Sequence, residues 1–435
     1  MTPLRFLLAV GATTLAATNS APAWADSGQF STLSYNVAGL LEAFSSAVSP
    51  RQSATEQISC YVNAFDIVNV QEDFNYHAAL YDSCNDHAYR SPTTGGMGIG
   101  SGLNTMSRFA YQDWERVKWK NCNGVDCLTP KGFTMARVRL AEGVYVDVYN
   151  LHTQAQIESA DLKARRANIL QMINYIEENS AGQAVIVMGD TNTRYTRGSD
   201  NMWEFLQRGF HDAWVDLTRA GDAPASGADA LTCDPKITSP DCEIVDKVMY
   251  RSNGFIQLQA TQYQVREDDA TTTGLKLSDH PPVHTDFYWN TRSDRRLSDP
   301  FGGPHGAAFN DVANLPETPT VKTVSLRAGS RVDQIAITLN SGQVLKHGGN
   351  GGSAASLTLA NGEALTSLQL CSGKRNNQTR IFYAQFNTSQ GRFLKGGSKT
   401  ADCTTFNAPN NWQIVGFHGR SGDELDKVGV IYAPR

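Results

Sequence analysis

Val146-Asp147-Val148-Tyr149-Asn150-Leu151-His152 is followed by the segment Ala160–Glu178. Then comes Ala184-Val185-Ile186-Val187-Met188-Gly189-Asp190-Thr191-Asn192. The two outer runs are short, apolar and rich in β-branched residues, the composition of buried strands. The middle segment places Leu162, Ile169, Leu170, Met172, Ile173 and Ile176 close to helical spacing. Strand, helix and strand in this order are the unit of an α/β layer fold. Each strand also stops at a polar residue suited to metal or phosphate chemistry: His152 in one, Asp190 and Asn192 in the other. Strand ends that meet on one rim are where sheet enzymes build their sites.

The same pattern recurs along the first 290 residues. Leu33-Ser34-Tyr35-Asn36 ends in an amide, and Ile67-Val68-Asn69-Val70-Gln71-Glu72 ends in a carboxylate. Val245-Asp246-Lys247-Val248-Met249-Tyr250 carries its acid inside the run, and Ser278-Asp279-His280 closes the series. The set is oxygen-rich with two imidazoles, which suits a hard cation such as Mg²⁺ and acid–base chemistry on a phosphate. Glu72 is a natural ligand for such a cation, and Asn36 offers a neutral oxygen. Two imidazoles are useful in an in-line displacement, where one side loses a proton and the other stabilises the leaving oxygen. His280 is the better base, because Asp246 can hold its other ring nitrogen and fix the tautomer.

In this order the motifs resemble the endonuclease/exonuclease/phosphatase superfamily, the deoxyribonuclease I-like fold that includes neutral sphingomyelinases and inositol phosphatases. The resemblance covers roughly residues 30–290. It implies an α/β four-layer sandwich and a divalent cation, Mg²⁺ or else Mn²⁺ or Ca²⁺, surrounded by Glu72, Asn36 and Asp279. It also implies that Asp190 and Asn192 hold the attacking water, and that His152 and His280 flank the scissile phosphate. The other seven histidines match no motif and read as structural.

Within the superfamily the substrate is open. Asn150-Leu151-His152-Thr153-Gln154-Ala155 is similar to the His-x-Gln-Ala segment of secreted neutral sphingomyelinases, so a phospholipid headgroup is the expected substrate and peripheral membrane contact is a corollary. Trp114 and Trp119 read either as a membrane-touching hairpin or, preferably, as buried strand aromatics. The alternatives are a nuclease acting on nucleic acid and a lectin-type binding protein with a degenerate enzyme domain. Charge bears on the nuclease. Residues 26–297 hold 24 Lys/Arg against 34 Asp/Glu, a net of −10, whereas Ser298 onward holds 13 against 9, a net of +4. An acidic catalytic domain is not the footprint of a strong nucleic-acid binder.

At 435 residues the chain exceeds one ordinary core, so two domains are expected. The start, with Arg5, an apolar stretch Phe6–Ala17 and Ala23-Trp24-Ala25, reads as a signal peptide over 1–25 and hence a secreted protein. Eight cysteines in an exported chain favour disulfides over a metal site. Pairing nearest neighbours (60 with 84, 122 with 127, 233 with 242, 371 with 403) keeps each bridge inside one domain. The expected boundaries are a catalytic domain at 26–290, a polar linker at 291–300 and an all-β module at 301–435. Ser91–Gly102 is Gly-rich and reads as a flexible rim loop rather than a phosphate cradle, since it lacks Gly-Lys-Ser/Thr.

The last module carries Phe301-Gly302-Gly303, Gly348-Gly349-Asn350-Gly351-Gly352 and Gly416-Phe417-His418-Gly419-Arg420-Ser421-Gly422-Asp423. These resemble jacalin-type lectins, which implies an all-β prism and a glycan partner. By that resemblance a Gly-x-x-x-Asp loop, placed at Gly419–Asp423, binds sugar hydroxyls beside Gly302 or Gly303. The segment between Gly373 and Lys399 departs from simple jacalin domains, which leaves the sugar open.

Overall fold

The computed structural model describes residues 26–94, 100–232, 239–271 and 274–435. The expected signal peptide, residues 95–99 of the Gly-rich loop and Cys233 lie outside the described residues. Two six-stranded sheets form the first part of the chain. One runs, in spatial order, β11 (Ile256–Val265), β12 (Val283–Thr291), β1 (Ser27–Asn36), β2 (Ile67–Gln71), β4 (Asn104–Ser107) and β3 (Tyr89–Arg90). The other runs β5 (Tyr111–Lys118), β6 (Gly132–Ala141), β7 (Val144–His152), β8 (Ala184–Asp190), β10 (Asp246–Arg251) and β9 (His211–Asp212).

The sheets stack face to face and are covered outside by helices, giving the expected four layers. Alternation along β2 shows why. Val68 and Val70 point outward into a cluster with Ala54 and Ile58 of helix α1 (Arg51–Tyr61). Asn69 and Gln71 point inward to the other sheet, where Asn69 Nδ2 donates to Tyr149 O at 3.0 Å and Gln71 Nε2 to Asn150 Oδ1 at 2.8 Å. Asn150 Nδ2 returns a bond to Val70 O at 2.9 Å. On the far side lies helix α2 (Ser159–Asn179), which contains the expected Ala160–Glu178. Its Ile169, Met172, Ile173 and Ile176 are buried, and its Tyr175 packs edge-on against Phe133. Leu170, placed with the apolar face by spacing, is exposed.

Register explains the site. β1 runs parallel to β2 with Asn36 opposite Gln71, and β7 runs parallel to β8 with His152 opposite Asp190. β10 is antiparallel to β8 with Asp246 opposite Asp190. Parallel strands therefore end, and antiparallel strands begin, at one edge of the sandwich. Asn36, Glu72, His152, Asp190, Asp246 and the segment before β12 all meet there. Two glycines permit close approach at that edge. A Cβ on Gly39 would lie 2.3 Å from Glu72 O, and one on Gly189 would lie 2.3 Å from Leu151 O.

The rest of the chain forms three further sheets. One contains β13 (Arg296–Leu297), β25 (Leu425–Pro434), β24 (Trp412–Ser421) and β15 (Ala307–Asn310), with β14 (Phe301–Gly302) also on β25. The second contains β18 (Val344–Gly348), β17 (Val332–Leu339), β16 (Val321–Ala328) and β19 (Ser353–Thr358). The third contains β22 (Phe393–Gly397), β21 (Gln378–Thr388), β20 (Leu365–Arg375) and β23 (Asp402–Asn407). Leu326, Ile335, Leu368, Phe386, Phe417 and Val430 fill the space between them, as a prism of three sheets requires.

The stretch 291–300 differs from a free linker, because its polar groups are engaged on both sides. Arg296 and Leu297 pair with β25. Asp299 Oδ1 accepts from Gly143 N at 2.9 Å and from Tyr145 OH at 2.8 Å, and Asp299 Oδ2 pairs with Arg139 at 2.9 Å. Buried Lys427 of β25 reaches Asp113 at 2.5 Å, and Asn310 Nδ2 donates to Gly182 O at 3.2 Å. These contacts lie at the start of β7 and beyond the C-terminus of α2, the end of the sandwich opposite His152. Trp114 and Trp119 are not a membrane hairpin: Trp119 is buried and donates to His152 O at 2.7 Å, and Trp114 packs against the core.

Bridges Cys60–Cys84, Cys122–Cys127 and Cys371–Cys403 are present as expected. Cys242 is disulfide-bonded as well, but its expected partner Cys233 lies outside the described residues. Among the described residues no helix is long and apolar enough to cross a membrane.

Candidate active site

Asn36, at the end of β1, is fully buried and ties two carboxylates together. Its Nδ2 donates to Glu72 Oε1 at 3.0 Å and to Asp190 Oδ2 at 3.1 Å, while its Oδ1 accepts from Ala38 N at 3.1 Å. Glu72 and Asn192 both have left-handed backbones, with φ of 58° and 49°, and so does Ala38 at 48°. Such conformations cost energy in non-glycine residues and cluster where a site imposes them. Asn192 N donates to Asp190 Oδ1 at 3.0 Å, closing the turn after β8.

The two histidines differ in environment. His280 Nδ1 lies 2.8 Å from Asp246 Oδ2, and its Nε2 lies 3.8 Å from Asp190 Oδ2. Burial opposes charge on this ring, but Asp246 and Asp190 outweigh it and hold its pKa well above the ordinary value. His152 is buried, with Nε2 3.3 Å from Asp190 Oδ2 and 3.1 Å from Lys131 Nζ. Burial, Lys131 and His280 all push its pKa well below the ordinary value, so this ring is neutral. Its Nδ1 and Asp246 Oδ1 are buried with no hydrogen-bond partner among the described residues.

The site is anionic. Burial raises the Glu72 carboxyl, with Asn36 and Lys131 opposing. Burial also raises Asp190, against the pull of His280. A bound cation would remove that cost, so these residues fit a hard divalent ion. Asp190, Asp246 and His280 bring ligand atoms within 4.8 Å of one another, a grouping different from the expected Glu72, Asn36 and Asp279. Asp279 is exposed at the rim, where its Oδ1 accepts from Ser278 Oγ at 3.4 Å.

Two residues here escaped the sequence reading. Lys131, held by Asp126 at 2.8 Å, comes from the loop after the Cys122–Cys127 bridge. Arg51, the first residue of α1, is fully buried. It donates to Val37 O at 2.6 Å, Ala38 O at 3.0 Å and Leu277 O at 2.7 Å. It thereby clamps the turn after Asn36 to the turn before Ser278-Asp279-His280. No pattern signalled either residue: one lies in a loop, and the other reads as a solvated helix start.

In the prism, Gly419 is not part of a loop. It lies inside β24, paired with Val428. The turn is at Gly422–Glu424, where Asp423 is exposed and lines a cavity of about 290 Å³ together with Gly306, Arg375, Arg380 and Asp426. Asp426 is buried there with Arg380 as its ion-pair partner, and its backbone O accepts from Gly303 N at 2.8 Å. The Gly-x-x-x-Asp spacing is thus also met by Gly422–Asp426, and the hairpin favours that register for a loop.

Residues 41–243 match the model of Endonuclease/Exonuclease/phosphatase family 2, and residues 298–431 match that of the Jacalin-like lectin domain. A curated protein called Sphingomyelinase from Mycobacterium tuberculosis (strain ATCC 25618 / H37Rv) is 39% identical over 271 residues, 60% of this chain and 53% of that protein. An equally similar Sphingomyelinase comes from Mycobacterium bovis. The chain spans about half the length of these curated relatives. Among solved structures, sphingomyelinase C from Streptomyces griseocarneus is 18% identical over 60% of this chain and 99% of its own, with a TM-score of 0.42. Malaysian banana lectin is 23% identical over 32% of this chain and 99% of its own, with a TM-score of 0.29. By the family models, residues 41–243 are thus similar to the endonuclease/exonuclease/phosphatase family and residues 298–431 to the jacalin-like lectin domain.

Proposed function

We propose that this protein is a secreted, divalent-cation-dependent phosphodiesterase that cleaves a choline phospholipid, sphingomyelin in the first instance, and that its prism binds glycan. The observation that carries the reading is the bonded series Glu72–Asn36–Asp190–His152, beside the Asp246–His280 pair, at one sheet edge. The matched relatives named Sphingomyelinase support the choice of lipid. Export is supported by the bridged cysteines, since disulfides persist in oxidising compartments.

Glu72, with Asn36 and Asp279, would hold the cation, which we take to be Mg²⁺ from the hard-oxygen character of the set. When bound, such an ion polarises a phosphoryl oxygen and offsets developing charge. Asp190 and Asn192 orient a water for in-line attack at phosphorus. Once a cation offsets the Asp190 charge that, with Asp246, raises this ring's pKa, neutral His280 would accept that water's proton at Nε2, while Asp246, on Nδ1, stabilises the imidazolium. The bond from phosphorus to the lipid alcohol oxygen breaks on the opposite side, and the leaving oxygen takes up a proton from solvent. Neutral His152 and the Lys131 ammonium face the charge that develops on the phosphate. In the prism, Asp423 with Gly303 and the Gly419 strand would frame the sugar site, and Asp426 is the buried carboxylate nearest that turn.

Assay of the purified protein with Mg²⁺ against sphingomyelin, phosphatidylcholine and plasmid DNA tests the reading. Release of phosphocholine with intact plasmid supports it. Nicked plasmid without phosphocholine would replace it with a nuclease.

A further inference from the structure

The five most exposed large apolar side chains among the described residues are Leu128 (75%), Phe44 (74%), Val125 (73%), Val48 (71%) and Ile157 (65%), and Leu41 is exposed at 51%. All six stand on loops that leave the edge of the sandwich carrying the site. Leu41, Phe44 and Val48 lie between Asn36 and Arg51, on the side of the first sheet. Val125 and Leu128 lie in the loop that delivers Lys131, and Ile157 follows His152, on the side of the second sheet. Ala155 N donates to Asp126 Oδ2 at 2.6 Å, and Asn123 N donates to Gln154 Oε1 at 2.7 Å, so the last two loops are joined. The apolar groups thus flank the catalytic edge on both sides, while the prism docks at the opposite end.

Single exposed apolar residues need no explanation. Concentration of the most exposed ones on separate loops around one opening does. We propose that this rim is a docking surface for the interfacial region of a zwitterionic, choline-headgroup bilayer. The charges choose the lipid. Residues 37–50, 119–131 and 153–158 carry the acids Glu42, Asp126 and Glu158 against Lys120 and Lys131. Lys131 is turned inward to Asp126 and His152. These three loops offer no basic cluster to anionic lipid. The choice of a choline lipid rests on the function proposed above, whereas the apolar rim does not.

The test uses the full chain and vesicles free of glycolipid, so that the prism has no ligand. Sedimentation is compared on phosphatidylcholine–sphingomyelin vesicles with and without phosphatidylserine. The variant combines Phe44→Ser, Val125→Ser and Leu128→Ser, all at exposed sites outside the catalytic set. Its partition onto choline-lipid vesicles should fall by roughly a hundredfold, given what burial of such side chains contributes. Its turnover of p-nitrophenylphosphocholine, a soluble diester, should stay that of the unmodified protein. Equal partition of variant and parent, no binding by the parent, or binding that requires phosphatidylserine would overturn the proposal. Binding without cleavage of either lipid or soluble diester would leave the rim standing and remove the phosphodiesterase reading.

Discussion

Replacing Arg51 with Met should damage turnover more than its distance from the chemistry suggests. The guanidinium is fully buried and donates four hydrogen bonds, to Val37 O, Ala38 O, Leu277 O and Ser49 Oγ. Removing it leaves Val37 O without its donor, at about 1–3 kcal/mol, and takes the charged donor from Ala38 O and Leu277 O, which keep Ser45 Oγ at 3.2 Å and Ser49 Oγ at 3.4 Å, at about 1 kcal/mol each. A loss of roughly 3–5 kcal/mol would follow, within the 5–15 kcal/mol typical of a domain, so the protein should still fold. The catalytic effect comes from geometry. Val37 and Ala38 follow Asn36, and Leu277 precedes Ser278-Asp279-His280, so loosening the clamp lets both sides of the site drift. A displacement of about 1 Å costs roughly a hundredfold in rate. Arg51→Lys keeps the charge but cannot span the same acceptors, and should recover stability better than rate. The assay pairs thermal unfolding with kcat and KM on a soluble phosphodiester. A stability loss with unchanged kcat would show that Arg51 supports only the fold.

Other outcomes follow from the same geometry. His280→Ala should lower the turnover rate by roughly 10²–10⁴, and Asp246→Asn by less, because Asp246 acts through the ring; steady-state kinetics would reverse that order if Asp246 served the substrate directly. Lys131→Met should cut kcat more than it lowers the melting temperature, since the ammonium faces the His152 ring and its ion pair with Asp126 stands on a loop; an unchanged kcat would place Lys131 outside the chemistry. Acid should loosen the prism through His418, whose pKa burial pushes down to about 4 while Ser298 O accepts from its ring. The unfolded chain then binds the extra proton first, so this contribution is complete above about pH 6.5 and is lost as pH falls toward 4, a change of about 3 kcal/mol. His418→Gln should flatten melting temperature against pH across that window, and an unchanged profile would assign the acid sensitivity elsewhere.

The fold and the rim of the site were legible because apolar strands ending in polar residues are unusual. A carboxylate or imidazole at the end of a buried run, as at Glu72, His152 and Asp190, has few reasons to be there. The Asp246–His280 pairing followed from chemistry, since an imidazole that accepts a proton benefits from an oriented carboxylate. Other features were hidden for definite physical reasons. Arg51 opens a helix, where a charged residue ordinarily meets water. Lys131 reaches the site on a long side chain from a loop without periodicity. The stretch 291–300 looked free because it is polar, yet Asp299 finds its partners in Arg139, Gly143 and Tyr145, far away in sequence. The sugar-loop register was ambiguous because Gly419–Asp423 and Gly422–Asp426 share one spacing, and only the position of the hairpin turn separates them.

The most direct test of the account is hydrolysis of sphingomyelin by the full chain in heavy-oxygen water, with Mg²⁺ and with excess chelator, followed by phosphorus NMR of the products. Water attack at phosphorus, with loss of the lipid alcohol, predicts phosphocholine carrying the heavy oxygen, formed with Mg²⁺ and absent with chelator. Unlabelled phosphocholine, or equal turnover in chelator, would contradict it.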